Sequence, residues 1–574
     1  MSHFPQPPSI QLARALVREL VAAGVRDAVL APGSRSSPLA YALAEAHHAG
    51  WLRLTVRLDE RGAGFVALGL TRAGATPRPV LVATTSGTAV ANLHPAVLEA
   101  SHSGDPLVVV SADRPHEWRG TGANQTTDQV GIFGSAPRHA AELPAGFRPE
   151  AVRGAVARAI VAATGVLTLD PGPVHLNVAF RDPLVPEYAP SGAEGPAFEL
   201  EKLLVAGWTA EGLPAPLRVT PVVPGPLEVP AGKRTLLVAG DRAGERWFAA
   251  AERAGWPVLA EPSSGARLPG AIRHYRELLA AGLGTDAERV VLVGHPTLSR
   301  PVSRLLARTD AEVIVVGGLR WTDVSGTAAR VAGDLTVPAA TPADHAWWDR
   351  WQQADAALAE AASGIRSAAE RAALAVWEAE VPTLVLGSSN AIRAVDGAAP
   401  GRTDGARVVA NRGLAGIDGT IATATGLALG TGSPVRALVG DLTFLHDAMS
   451  LVRGALEAEV DLQVVVLNDA GGAIFETLEP GAISRTDRHA RATFERLFAT
   501  PQQVDIGALA AGLDASHVGV DGRSEEGLGA LRELLARPIT GRSVVEVRIG
   551  REELATVSAR RREAALRVVA RLHS

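Results

Sequence analysis

The sequence predicts an α/β protein of three doubly wound parallel-sheet domains, and three observations carry that expectation. Short β-branched runs recur along the whole chain, alternating with Ala/Leu-rich stretches of helical length. The runs end in small residues just before a helix begins. At 574 residues the chain is long enough for about three domains, taking roughly 150–200 residues for each.

The first block, residues 1–185, offers DAVLAP, LRLTVRL, PVLVATTS, PLVVVSA and PVHLNVAF as buried parallel strands. Residues 186–232 are rich in Pro, Gly and Ala, including LPAPLRVTPVVPGPLEVPAG; prolines remove ladder donors and disfavour helix, so a linker is expected. The second block, 233–345, contains RTLLVAGD, VVLVGH and EVIVVGG. The third, 346–574, contains TLVLGSS, RVVANRG, VRALVGD, LQVVVLND and SVVEVRI, then a charged terminal helix from about Arg551. No short-period repeat is visible, and the blocks share no recognisable sequence identity.

Composition narrows the function classes. Hydrophobic residues at 47% against 20% charged exclude a mostly disordered chain. The apolar runs are too short for a membrane span, and MSHFPQPPSI lacks the basic start and apolar stretch of a secretory signal, so a cytoplasmic protein is expected. The absence of cysteine removes disulfides, thiolate metal sites and cysteine nucleophiles. A net charge of −5 gives no global attraction for nucleic acid or anionic membranes, so an acidic ligand must be met by placed arginines.

Open parallel sheets bind ligands at the carboxyl ends of their strands. The strongest signal of that kind is VRALVGD, ending at Asp441, followed after a helical stretch by LQVVVLNDAGG, which delivers Asn468, Asp469 and Gly471 at a second strand end. Magnesium takes oxygen ligands and is held by one or two carboxylates together with substrate phosphates. Asp441 and Asp469 would supply the carboxylates and Gly471 its carbonyl, while Gly440, Gly471 and Gly472 permit a tight turn and close backbone approach to a phosphate. In LRLTVRLDERGAGFVALGLTRA a strand run ends at Leu58 and a small-residue helix starts around Glu60. Alone, Glu60 reads as a solvated first-turn glutamate; beside the polar loops TTSGTAVANLHPAVLEA and SADRPHEWRGTGANQTTDQ it reads as part of a rim. Arg35, Arg114, Arg393 and Arg412 all fall in loops after strands, a set of permanent cations suited to bidentate carboxylate binding. His94, His116 and His446 show no metal-ligand spacing.

The paired strand ends match the magnesium-diphosphate motif of thiamine diphosphate enzymes, which the chain resembles over essentially its whole length. That family usually has two asparagines where this chain has Asn468 and Asp469, which leaves open which of the two is the ligand. APGSRSSPLA, LDERGAGFVALGLTRA, SADRPHEWRGTGANQ, NRGLAGIDG and GDLTFLHD together resemble the 2-succinyl-5-enolpyruvyl-6-hydroxy-3-cyclohexene-1-carboxylate synthases of menaquinone biosynthesis. The resemblance implies decarboxylation of 2-oxoglutarate on thiamine diphosphate and conjugate addition of the succinyl carbanion equivalent to isochorismate, with Mg2+ as the metal and Mn2+ as an alternative.

The same resemblance assigns Glu60 to cofactor activation as the catalytic acid. Cofactor contacts fall on Ser389, Gly413, Ile417, Gly440, Asp441, Leu442, Thr443, Asn468, Asp469, Gly471, Gly472, Ile474 and Phe475. Ile417 matches the wedge that bends the cofactor, and Phe475 and Leu478 match apolar cover. Substrate positions are Ser34, Arg35, Arg114, Asn124, Gln125, Arg300, Ser389, Arg393 and Arg412, the last two for the carboxylate from 2-oxoglutarate. In HPTLSRP, Ser299 stands before Arg300 where some members have lysine. The family builds each site from two subunits, so a homodimer is the expected minimum and a dimer of dimers the alternative. An acetolactate-synthase-like enzyme acting on pyruvate and a non-catalytic ligand-binding relative are the competing readings; a dinucleotide oxidoreductase is disfavoured, since no G-x-G-x-x-G follows an early strand.

Overall fold

The computed structural model describes residues 6–186, 212–216, 218–223, 225–318 and 320–573. Much of the expected linker, residues 187–211 with 217 and 224, lies outside the described residues. Two compact units emerge. The first comprises Met1–Val222, Ala422–Gly432 and Val452–Glu459; the second comprises Val223–Ile421, Ser433–Leu451 and Val460–Ser574.

The first unit carries β1 (Asp27–Leu30), β2 (Arg53–Val56), β3 (Val80–Thr84), β4 (Leu107–Asp113), β5 (His139–Leu143) and β6 (Val174–Ala179), all parallel in the order β2-β1-β3-β4-β6-β5. Its central strands β3, β4 and β6 are buried along their whole length because both faces are covered. Ala28, Leu30, Leu81, Val108 and Val110 pack on one side; Val29, Val82 and Val109, one residue out of phase, pack on the other with the helix Glu60–Thr71. That helix crosses the segment 422–432 at a glycine pair. A Cβ on Gly69 would lie 2.2 Å from the Thr423 carbonyl, and one on Gly426 2.1 Å from that of Val66, so only hydrogen allows this approach.

The second unit holds two main sheets. The first joins β8 (Thr235–Ala239), β9 (Val258–Ala260), β10 (Arg289–Val293), β11 (Glu312–Val316) and β12 (Ala328–Ala332) in the order β12-β11-β10-β8-β9, with a short parallel pair, β7 (Leu227–Glu228) and β13 (Leu335–Thr336), beside it in sequence. The helix Pro342–Ala361 buries Trp347, Trp351 and Leu358 with Leu236, Val290 and Val313 of that sheet, and the terminal helix Leu554–His573 adds Ala564 and Val568 to the same core. The boundary drawn at 345/346 therefore falls inside a helix whose buried face continues the middle core.

The second main sheet contains β14 (Thr383–Leu386), β15 (Arg407–Ala410), β16 (Val435–Gly440), β17 (Leu462–Asn468), β18 (Ser516–Asp521) and β19 (Arg542–Arg548), all parallel in the order β15-β14-β16-β17-β19-β18. Counted from its own first strand, this is the strand order of the first unit's sheet. The two share a topology although their sequences share no repeat, because right-handed crossovers and two-sided burial constrain strand order without constraining residue identity. Among the described residues no helix is long and apolar enough to cross a membrane.

Candidate active site

In the first unit the strand ends gather around Ser86, in the loop after β3. Arg114, after β4, donates to Ser86 Oγ; Ser86 Oγ donates to the Gln125 carbonyl at 3.0 Å, and Gln125 Nε2 returns a bond to the Ser86 carbonyl at 2.9 Å. Gln125 takes φ 54°, a left-handed conformation fixed by this reciprocal pair. Arg35, after β1, donates to the Phe180 carbonyl at 3.0 Å and lies over the Trp118 ring, 5.4 Å from its centroid. Burial, and then the neighbouring Arg35 charge, hold the Arg114 guanidinium below its ordinary pKa. Ser34 and Asn124 are exposed. Glu60 is half-buried and opens its helix; the strand before it ends at Val56, two residues earlier than expected, and Asp59 caps the helix by accepting from Arg61 N at 2.9 Å.

A buried polar network that sequence reasoning missed backs this rim. Gln129 Oε1 accepts from Gly87 N at 2.9 Å, Gln129 Nε2 donates to Asn177 Oδ1 at 2.9 Å, and Asn177 Nδ2 donates to Asp113 Oδ2 at 2.8 Å. Ser111 Oγ donates to the same Asn177 Oδ1 at 2.9 Å and lies 2.7 Å from His175 Nε2. Burial pushes His175 down to about 4. Since this lies below the ordinary value of 6.5, the stability contributed by neutral His175 is full above pH 6.5 and is lost as pH falls through about 4. His175→Gln is expected to remove about 3 kcal/mol of that acid sensitivity. Urea unfolding at pH 4 and pH 7.5 checks it, and an unchanged difference between the two pH values would contradict it.

In the second unit, Asp441 and Asp469 end neighbouring strands and both are buried, at 4% and 9% exposure. Asp441 Oδ2 accepts from Gly471 N at 2.8 Å and Oδ1 from Leu442 N at 2.8 Å. Burial pushes Asp441 up to about 6, and burial with the Asp441 charge pushes Asp469 up to about 8. Asp469 Oδ1 is buried without a hydrogen-bond partner. Asn468, by contrast, donates to Glu546 Oε1 at 2.6 Å and accepts from Ala470 N at 3.1 Å, which commits its side chain to the sheet. An unsatisfied carboxylate oxygen beside a second buried carboxylate is the donor set a hard divalent cation takes, so the residues fit a metal-diphosphate group. Gly471 has φ 144°, and a Cβ there would lie 2.4 Å from the Ala499 carbonyl. Among the described residues no group of three His, Asp or Glu side chains forms a metal cluster.

On the same sheet, Ser389 after β14 adopts φ 64°, ψ −125°, a strained turn that starts the helix Asn390–Ala398, and Arg393 Nη1, from within that helix, donates back to the Ser389 carbonyl at 2.6 Å. Burial, then the Arg412 charge, lower the pKa of Arg393. Arg412, after β15, is 1% exposed; its Nε donates to Thr297 Oγ1 at 2.8 Å and its Nη1 to Ser388 Oγ at 3.2 Å. Arg300 is exposed and forms a bidentate ion pair with Glu479, at 2.6 and 3.2 Å. Ser299 caps the helix Arg300–Leu306 by accepting from Val302 N at 3.3 Å, a role a lysine cannot fill. Gly413, Gly472 and Thr443 are buried; Ile417, Leu442, Ile474, Phe475 and Leu478 are half-buried, and Phe475 packs on Phe498 with ring centroids 5.7 Å apart. Arg551, which no strand-end motif announces, has a buried Nη1 without a hydrogen-bond partner and electrostatically favours both clamp carboxylates in their charged form.

Residues 10–132 match the family described as thiamine pyrophosphate enzyme, N-terminal TPP binding domain. The chain is 49% identical to the 2-succinyl-5-enolpyruvyl-6-hydroxy-3-cyclohexene-1-carboxylate synthase of Kineococcus radiotolerans, covering 95% of this chain and 97% of that one. To the synthases of the same name from Paenarthrobacter aurescens and Mycobacterium leprae it is 48% and 42% identical, covering 97% and 95% of this chain and 96% and 98% of theirs. A solved benzoylformate decarboxylase from Polynucleobacter necessarius shares the fold with a TM-score of 0.65 at 17% identity, over 95% of this chain and 99% of that one. Identity at this level over nearly the full length, joined to strand ends that carry an acid clamp and buried arginines, places the chain in the family of thiamine-diphosphate-dependent 2-succinyl-5-enolpyruvyl-6-hydroxy-3-cyclohexene-1-carboxylate synthases.

Proposed function

We propose that the protein decarboxylates 2-oxoglutarate and adds the resulting succinyl carbanion equivalent to isochorismate, the reaction that yields the compound in the relatives' name. One observation carries this reading: four adjacent strands of one sheet, β15-β14-β16-β17, end in Arg412, in the Ser389 turn with Arg393, in Asp441 and in Asn468–Asp469. Dicarboxylate recognition and a metal-diphosphate clamp thus share one carboxyl edge.

Thiamine diphosphate, when bound, supplies the electron sink for the carbanion equivalent left by loss of carbon dioxide. In our reading Asp441, Asp469 and the Gly471 carbonyl bind Mg2+, with Mn2+ as an alternative, and Gly440 and Gly472 leave room for the diphosphate. Glu60 exchanges a proton through its carboxylate with the aminopyrimidine ring. Arg393 and Arg412 hold the 2-oxoglutarate carboxylate. Ser34, Arg35, Arg114, Asn124 and Gln125 face isochorismate, joined by Arg300 once it leaves Glu479. Ile417 shapes the bound cofactor, while Phe475 and Leu478 exclude water, since early protonation would release succinic semialdehyde.

The same reading divides the chain into a pyrimidine-binding domain (1–185), a linker (186–232), a central domain (233–345) and a diphosphate-binding domain (346–574). The three separate main sheets support the number of domains, while the helix Pro342–Ala361, which packs on the middle sheet, extends the central domain past 345. It also sets a cytoplasmic homodimer with intersubunit sites as the minimum assembly and a tetramer as its extension. Incubation with Mg2+, thiamine diphosphate and isochorismate is expected to consume isochorismate absorbance when 2-oxoglutarate is supplied and not when pyruvate replaces it. Turnover with pyruvate alone would overturn the assignment in favour of an acetolactate-synthase-like activity.

A further inference from the structure

A cavity of about 440 Å³ in the second unit is lined by Glu261, Thr297, Arg300, Arg393 and Gly413. Glu261 directly follows β9 and is 2% exposed. Its Oε1 accepts from both Thr297 N and Leu298 N at 2.8 Å, whereas its Oε2 is buried without a hydrogen-bond partner. Thr297 in turn receives Arg412 twice, at its Oγ1 from Nε at 2.8 Å and at its carbonyl from Nη2 at 3.5 Å. The chain of contacts therefore runs from one buried carboxyl, through one pinned peptide, to the guanidinium that ends β15.

We propose that Glu261 and Thr297 are positioning residues for substrate: Glu261 fixes the Thr297–Leu298 turn, and Thr297 aims Arg412 at a substrate carboxylate. The inference rests on the reading of Arg412 as a 2-oxoglutarate contact. A carboxyl that fixes the turn by accepting two amide hydrogens does not need to be ionised, and while neutral it leaves the Arg412 charge for the ligand. An ionised Glu261 would neutralise that charge instead. The charged groups facing it are Arg412 and Arg393, which favour ionisation, and Asp396, which opposes it; Asp396 is itself paired with Arg267 at 3.0 Å and Arg276 at 3.1 Å and accepts from the Tyr275 hydroxyl at 3.0 Å. Burial dominates and raises Glu261 to about 8. In the folded enzyme the carboxyl is therefore neutral below that value and ionises as pH rises through about 8.

Thr297→Val and Glu261→Gln test this in the holoenzyme, with the KM for 2-oxoglutarate, kcat and thiamine diphosphate affinity followed from pH 6.5 to 9. Thr297→Val is expected to raise that KM about tenfold, the loss of one charge-assisted hydrogen bond, with kcat and cofactor affinity nearly unchanged. The wild-type KM is expected to climb above pH 8, and Glu261→Gln, which keeps both amide contacts and cannot ionise, to start near the wild-type value and stay flat. An unchanged KM in Thr297→Val, or an alkaline rise in Glu261→Gln equal to that of the wild type, overturns the relay while leaving the substrate reading intact. A wild-type enzyme that does not turn over 2-oxoglutarate at all overturns the substrate reading, and the relay with it.

Discussion

Glu60→Gln is expected to lower kcat by about 10²–10⁴-fold, the range for loss of a positioned acid-base group, with thiamine diphosphate still bound. Glutamine keeps the length of the side chain and one acceptor oxygen but cannot take up or return a proton. The backbone that presents it should not move, because Asp59 caps the helix and the Gly69–Gly426 crossing fixes its far end. Two readouts separate chemistry from structure: stopped-flow turnover at saturating cofactor, and cofactor affinity from quenching of intrinsic tryptophan fluorescence. Near-normal turnover would remove Glu60 from the mechanism. Lost turnover together with lost cofactor binding would recast it as a binding group.

The second large effect concerns the clamp. Asp469→Ala should abolish the metal-dependent gain in stability on adding thiamine diphosphate, whereas Asn468→Ala should keep it. A ligand at about 100 times its Kd stabilises a protein by about 2.7 kcal/mol, so differential scanning fluorimetry with and without Mg2+ and thiamine diphosphate resolves the two outcomes. Without ligand the order reverses. Asp469→Ala relieves a buried carboxylate that faces Asp441 and has an unpartnered oxygen, so its apo melting temperature should equal or exceed that of the wild type. Asn468→Ala breaks the bonds to Glu546 and Ala470 and should lower it. Equal ligand-induced shifts in Asp469→Ala and the wild type would transfer the ligand role away from Asp469.

The central strands were legible in the sequence because sheets covered on both faces write continuous apolar runs, as in LVVVSA of β4 and LQVVVLN of β17. The strands that escaped notice are mostly sheet-edge ones. The strands β5, β12 and β18 are partly exposed along their length, and β9 has only three residues, so none carries such a run. The site divided along the same physical line. Glu60, Asp441 and Asp469 announce themselves by lying at a strand end beside a helix start or a glycine pair, which is local information. Thr297 and Arg412 lie 115 positions apart, and Glu261 reaches Leu298 across 37, so no local pattern joins them. Ser86 lay inside a loop that the sequence marked as polar, but only the contacts with Arg114 and Gln125 distinguish it from its neighbours. Ser299 shows the converse. A departure from the lysine that some members carry there becomes intelligible once its hydroxyl is seen capping the helix that carries Arg300.

The mass of the product formed from 2-oxoglutarate and isochorismate, with Mg2+ and thiamine diphosphate present, tests the central claim most directly. The account predicts a single adduct equal to isochorismate plus 2-oxoglutarate less one carbon dioxide, dependent on both acids and absent with Glu60→Gln. Recovery of unchanged isochorismate alongside succinic semialdehyde, or an adduct built from pyruvate instead, would contradict it.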